Sequence, residues 1–190
     1  MARDKQRTRK KIMDAAYVLF RKRGYTRVNV DEIADAAGIT KRTLYSHFES
    51  KDALLESVLE DQHEMALAAF QTFGEKLIGT PEDIVRIFFR ELAKWAKTPR
   101  WSGPGFTRLA MELADLPGHP ARRIASQHKK LLASHLAASL AASGLEDARS
   151  CARKIWIICE GAMVMMLIHG DSSYSSDAQE AALAVIAGKP

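Results

Sequence analysis

NVDEIADAAGITKRTLYSHFESK, residues 29–51, is the stretch whose reading decides the fold. Asn29 suits a helix N-cap, and Glu32 three residues later completes a capping box. Val30, Ile33, Ala34 and Ala37 give this predicted helix one apolar side, and Gly38 ends it. Thr40 then caps a short helix over about residues 41–47, with Leu44 and Phe48 pointing inward at i, i+4. Ser50 caps another helix that starts at Lys51. Ala34 lies four residues before Gly38 in the sequence, where a small side chain lets the second helix cross closely over the first. Ile33, Ile39 and Leu44 fix that crossing from inside. Two short helices about a tight glycine turn make a helix-turn-helix, whose second helix is shaped for a major groove.

Working outward, a preceding helix is expected from Asp4 to Lys22, with Ile12, Ala15, Ala16, Leu19 and Phe20 forming one stripe at 3, 1, 3, 1 spacing. Beyond the motif the fourth helix should run to about Leu77 and stop at Gly79. Thr80-Pro81 opens a fifth helix with an N-cap threonine and proline at its first position. A loop rich in Pro and Gly follows from Thr98 to Gly105, then a short helix over roughly 106–115. A seventh helix ends near Ser143, an eighth covers about 147–169, and a ninth starts near Asp177. No alternation of β-branched residues suggests a strand. The expected architecture is all-α with about nine helices. An N-terminal helix-turn-helix domain, residues 1–51, precedes a C-terminal helical domain, residues 52–190.

The charge is unevenly placed. Residues 1–51 hold thirteen Lys/Arg and six Asp/Glu, a balance of +7, while the other 139 residues hold fifteen and seventeen, a balance of −2. A basic first quarter points to an anionic partner, nucleic acid or a membrane surface. The outward side chains favour DNA. Lys41, Arg42, Thr43 and Ser46 can face base edges or phosphates, and Thr40 opens the recognition helix where anions are favoured. Tyr45 and Lys51 can reach phosphates, as can the arm from Arg3 to Lys11. With 47% hydrophobic residues the chain can build a core rather than remain disordered. Its longest apolar runs are too short to span a bilayer, and no apolar segment follows the basic N-terminus as in a secretory signal. A cytoplasmic location without membrane insertion is therefore expected. Cys151 and Cys159 would lie about 12 Å apart along one helix, too far to pair, and read as buried thiols.

From Thr8 to Leu55 the sequence resembles the DNA-binding domain of the TetR family of bacterial transcriptional regulators. The carrying residues are Ile12 to Phe20, Gly24-Tyr25, Val30-Asp31-Glu32-Ile33-Ala34, Ala37-Gly38-Ile39-Thr40-Lys41, Thr43-Leu44-Tyr45, His47-Phe48 and Ser50-Lys51. The resemblance covers about a quarter of the chain. It implies a homodimeric repressor that holds double-stranded DNA at a palindromic operator and lets go when a small molecule binds an all-α C-terminal domain. The positions matching DNA-contacting residues are Thr40, Lys41, Arg42, Thr43, Tyr45, His47 and Lys51. Position 42, often glycine in relatives, is arginine here, so an operator sequence cannot be borrowed.

In the C-terminal part, residues 155–168 are apolar nearly all round, interrupted by Glu160 and Gly161. Such a helix must be covered on every side, so the eighth and ninth helices are expected to form an isologous dimer interface. Family dimers agree with this. Phe88, Trp95, Trp101, Phe106, Met111, Trp156 and Met163 are candidate lining for an effector pocket, although each could be ordinary core. Glu160 needs compensation in that apolar run. An Arg or Lys such as Arg108 could supply it, or a cationic or hydrogen-bonding ligand. No metal-ligand spacing, cofactor motif, nucleophile elbow or phosphate loop is present, so neither a metal, a cofactor nor an enzyme is expected. The alternative to a ligand-released repressor is a constitutive or architectural DNA-binding protein whose C-terminal domain only dimerises.

Overall fold

The computed structural model describes residues 2–99 and 101–188, and all regular structure among them is α-helical. The helices are α1 (Ala2–Arg23), α2 (Val30–Ala37), α3 (Lys41–Tyr45), α4 (Lys51–Gly74), α5 (Pro81–Ala96), α6 (Gly105–Glu112), α7 (Pro120–Ala142), α8 (Ala148–His169) and α9 (Tyr174–Ile186). None is long and apolar enough to cross a membrane.

The chain divides into two compact units, Met1–Met65 with Gly105–Gln127, and Ala66–Pro104 with His128–Pro190. The first unit therefore runs past residue 51 and takes in α6 and the start of α7. Its core shows why. Ile12, Ile33, Leu44 and Leu54 are fully buried in one cluster with Leu109, Leu113, Ala121 and Ile124. A three-helix domain of fifty residues has little apolar surface to close around itself, and α6 and α7 add side chains to that core. The second unit is built around Phe89, Leu136, Leu140, Ile155 and Met166. Within it, α9 packs against both α5 and α8. Cys151 and Cys159 are buried on α8 and unpaired as disulfide partners.

Several helix ends differ from the periodicity, and at three of them the local hydrogen bonds show why. The regular part of α3 stops at Tyr45 rather than His47. There Ser46 Oγ donates to the Thr43 carbonyl at 2.7 Å, and the next amides bond three residues back, tightening the turn. In α4 the helix ends at Gly74, a weak helix former, and the Lys76 and Leu77 amides again reach back three residues. Conversely α9 begins at Tyr174, because the Asp171 carboxylate accepts from the Ser173 amide at 2.8 Å and its hydroxyl at 2.7 Å. This Asx turn starts the helix earlier than its apolar pattern does.

Leu44 has no exposed surface and sits at the centre of the first unit's core. Leu44→Ala should lower unfolding free energy by about 2–5 kcal/mol. Urea titration of the variant checks this, and a loss below about 1 kcal/mol would mean that the α2–α3 crossing is not held by this side chain.

Candidate nucleic-acid interface

The α2–turn–α3 element is built by local hydrogen bonds before any packing. Asn29 Oδ1 accepts from the Glu32 amide at 2.9 Å, and Glu32 Oε2 accepts from the Asn29 amide at 2.9 Å, so both halves of the capping box form. Glu32 also takes a 2.6 Å ion pair from Arg23, and the Asn29 amide followed by that guanidinium holds its carboxyl below the usual value. Gly38 adopts φ 65°, a left-handed conformation that glycine reaches without a Cβ penalty. From there the Ile39 amide returns to the Ala34 carbonyl at 3.0 Å. Thr40 caps α3 by accepting from the Thr43 amide at 3.2 Å.

These bonds sort the residues expected to touch DNA. Arg42 and Tyr45 are exposed on α3. Thr40 and Thr43 are joined hydroxyl to hydroxyl at 2.9 Å and serve the cap. Lys41 donates to Asp31 at 2.9 Å, and that hydrogen bond raises its pKa. His47 is half-buried, and burial followed by the charges of Lys5 and Arg9 lowers its pKa, which favours the neutral imidazole. The Lys51 ammonium lies 4.1 Å over the Tyr25 ring, a cation–π contact, and desolvation lowers its pKa.

The basic arm is less open than its sequence implies. Arg9 stacks 4.1 Å over the Phe48 ring, donates to the His47 carbonyl at 3.0 Å and donates to Ser57 Oγ at 2.8 Å. It thereby ties α1 to the end of α3 and to α4. Lys10 pairs with Asp14 at 2.9 Å and Asp61 at 3.3 Å. Arg3, Lys5, Arg7 and Lys11 remain exposed.

Sequence reading overlooked Glu112, which lies far along the chain on α6. Its carboxylate accepts from the Tyr25 amide at 3.0 Å, the Thr26 amide at 2.7 Å and the Thr26 hydroxyl at 2.7 Å. Beside these, the Tyr25 hydroxyl donates to Asp52, and His119 Nε2 lies 3.6 Å from the same carboxylate. Burial, then the hydrogen bond with Asp52, raises the Tyr25 phenol pKa. No local motif marks Glu112. The signal would have been the run of polar groups at Tyr25 and Thr26, which needs an acceptor from elsewhere.

The candidate effector residues are divided between the two units. Phe88, Trp156 and Met163 lie in the second unit, with Phe88 and Met163 buried and the Phe88 and Trp156 rings 5.9 Å apart. Trp95 is 43% exposed and meets Trp101 edge-on at 5.6 Å. Phe106 packs on the core of the first unit, and Met111, on α6 in that unit, is 63% exposed. Glu160 is paired with Lys129 at 2.5 Å rather than with Arg108, which belongs to the first unit and donates to the Arg21 carbonyl at 3.4 Å. Lys129 sits on α7, 21 residues beyond Arg108 in the sequence. Phe70, Phe73 and His135 also join the aromatic group around Trp156 and were not singled out by sequence. Among the described residues no three His, Cys, Asp or Glu side chains gather as metal ligands.

A family model described as "Bacterial regulatory proteins, tetR family" matches residues 12–58. The HTH-type transcriptional regulator TtgR of Pseudomonas putida is 33% identical over 99 residues, covering 50% of this chain and 47% of that protein. The chain thus spans about half or less of the length of the curated relatives it matches. A TetR-family transcriptional regulator from Streptomyces coelicolor superposes with a TM-score of 0.83 at 23% identity, covering 95% of both chains. A TetR-family transcriptional regulator from Agrobacterium tumefaciens gives 0.78 at 22% identity, covering 94% of this chain and 97% of that one. These likenesses establish a shared fold over nearly the whole chain.

The Glu112 clamp predicts a pH dependence. Burial disfavours its charge, but the hydrogen bonds from Thr26 and Tyr25 together outweigh burial and hold the carboxyl below its usual value of 4.5. A depressed carboxyl stabilises the fold above its unfolded value, and this contribution fades as pH falls through the lower folded value. Urea midpoints of the wild type should therefore drop more steeply below about pH 4.5 than those of Glu112→Gln. Parallel curves would remove Glu112 from this role.

Proposed function

We propose that this chain, whose residues 12–58 match the model of the tetR family of bacterial regulatory proteins, is a member of that family and a homodimeric DNA-binding transcriptional repressor that a small molecule releases from a palindromic operator. The observation that carries the DNA-binding part is the framed α3. Its inner side chains, Leu44 and the following Phe48, are buried while Arg42 and Tyr45 stand exposed beside a basic α1. That is the arrangement in which a short helix enters a major groove and the surrounding cations meet phosphate. Arg42 is the base reader, since its planar fork matches the acceptor pair of guanine. Tyr45, Lys51 and the exposed arm residues Arg3, Lys5, Arg7 and Lys11 contact the backbone. Lys41 does so after exchanging Asp31 for a phosphate. Arg9 acts by holding α3 in place.

Dimerisation is supported by α8. Ile157, Met165 and Ile168 are 65%, 37% and 66% exposed and fall on one stripe with Gly161. An exposed apolar stripe of this kind marks a contact surface, and a glycine within it lets two helix backbones approach. A two-fold pair of such faces presents two α3 helices to half-sites about 34–36 Å apart or a multiple of it. Effector binding in the second unit then favours a dimer with another spacing. A coupling of about 1–3 kcal/mol, five- to 150-fold in affinity, suffices to empty an operator. TtgR and the solved regulators named above are transcriptional regulators by their own descriptions, which supports the same role here.

Selection of duplexes from a random pool by the purified chain should enrich an inverted repeat, and some small molecule should abolish that enrichment. Enrichment that survives every compound in a broad library would favour a constitutive regulator, and no enrichment would overturn the DNA-binding reading. On the enriched site, Arg42→Ala should erase preference at one base per half-site, a loss of about 1–3 kcal/mol. Arg9→Ala should instead weaken all sequences alike and leave the slope of log affinity against log salt nearly unchanged. A slope smaller by about 0.9 for each Arg9 lost would make it a phosphate contact.

A further inference from the structure

Trp156, on α8, carries a buried indole N–H with no hydrogen-bond partner. An indole nitrogen can only donate, and a buried donor without an acceptor is costly enough that each case calls for an explanation. Its surroundings supply one. Phe88 lies 5.9 Å and Phe70 6.5 Å from the Trp156 ring. Phe73 bridges them, 5.3 Å from Phe70 and 6.1 Å from Phe88. The phenylalanines come from α4 and α5, so two helices bring aromatic surface to the donor on α8. None of the neighbouring phenylalanines can accept a conventional hydrogen bond from it.

Charge narrows the choice further. The Lys129 ammonium lies 5.9 Å over the Trp156 ring and is already neutralised by Glu160 at 2.5 Å. A charged molecule set among these rings would leave its own charge without a counter-ion, at a high desolvation cost. Trp101 also has an unpartnered buried N–H, but its aromatic neighbour Trp95 is 43% exposed. That second donor has a single open ring beside it, whereas Trp156 has a group of three.

We infer that the effector site of the second unit takes a neutral, planar aromatic molecule with a ring nitrogen or carbonyl oxygen that accepts from Trp156 Nε1. The phenylalanines contribute edge-on and offset ring contacts that are tolerant of ring identity. The indole N–H contributes the selective term, since only a ligand with an acceptor at that point satisfies it. This rests on the proposal that the chain is ligand-responsive, and it adds the chemical class of the ligand.

Quinoline and naphthalene test it, because they share shape and differ by one acceptor nitrogen. At neutral pH, where quinoline is uncharged, each is titrated into the uniformly ¹⁵N-labelled full-length protein. Three tryptophans give three indole signals, and Trp156→Phe identifies the relevant one by its loss. Quinoline should bind roughly five- to tenfold more tightly than naphthalene and move the Trp156 indole proton downfield. Trp156→Phe should bind both about equally. Equal affinities in the wild type, a quinoline preference that survives in Trp156→Phe, or no binding of either compound would each overturn the inference. The wild-type comparison holds even if the variant folds poorly. A chain that selects a palindrome and ignores quinoline overturns this inference alone. One that binds quinoline and selects no DNA overturns the repressor reading alone.

Discussion

The carboxylate of Glu112 holds together the part of the molecule on which everything at the N-terminal end depends. It takes three hydrogen bonds from Tyr25 and Thr26, in the bend between α1 and α2. Amides at such a bend have left one helix and not yet entered the next, so without an acceptor they would face a partly buried site unpaired. Gly24 is fitted to this contact. Its φ of 86° suits glycine, and a Cβ there would come within 2.9 Å of Glu112 Oε1. The direction in which α2 leaves α1, and with it the placement of α3, is thus fixed by a residue some 87 positions further on. The helix-turn-helix is locally capped but globally placed from α6.

A second theme is the division of labour among the cations. A basic segment invites the idea that each positive charge meets an anion outside the protein. Here several are engaged within it. Arg9 joins three helices through its guanidinium, Arg23 reinforces the α2 capping box, and Lys51 lies on the Tyr25 ring. Arginine suits the first task because its flat fork can stack and donate at once. The exposed ion pairs, such as Lys41 with Asp31, bind little in free-energy terms and are easily exchanged for a phosphate. Residues that build the interface and residues that act at it are therefore interleaved along the same fifty positions.

This interleaving explains what sequence reading could and could not reach. Helix number, the capping box at Asn29, the Gly38 turn and the buried Leu44 were legible, because each depends on neighbours within four residues. Glu112 was not, because its partners lie elsewhere in the chain and a lone glutamate at a helix end has many ordinary uses. Arg9 reads as part of an open basic arm for the same reason, since its partners His47, Phe48 and Ser57 lie far along the chain. The compensation of Glu160 was anticipated, but its partner was not: charge type pointed to a cation, and only the packing of α7 beside α8 selects Lys129 over Arg108. The aromatic candidates show the limit most clearly. Phe88 and Trp156 come together, while Phe106 and Met111 belong to the other compact unit. Composition reports that aromatics are present, not which ones meet.

The two cysteines have a practical side. Both are buried, and burial followed by the Glu160 charge pushes the Cys159 thiol up to about 12. Cys159 is then held as the thiol at neutral pH, and the thiolate is the form that attacks alkylating reagents. Native Cys159 is chemically silent, and Cys151 is shielded from reagents too large to enter the core. A cysteine introduced at an exposed position such as Arg7 or Glu64 could therefore carry a fluorophore or spin label with both native thiols left in place. The folded protein supplies its own blank background for distance measurements in solution.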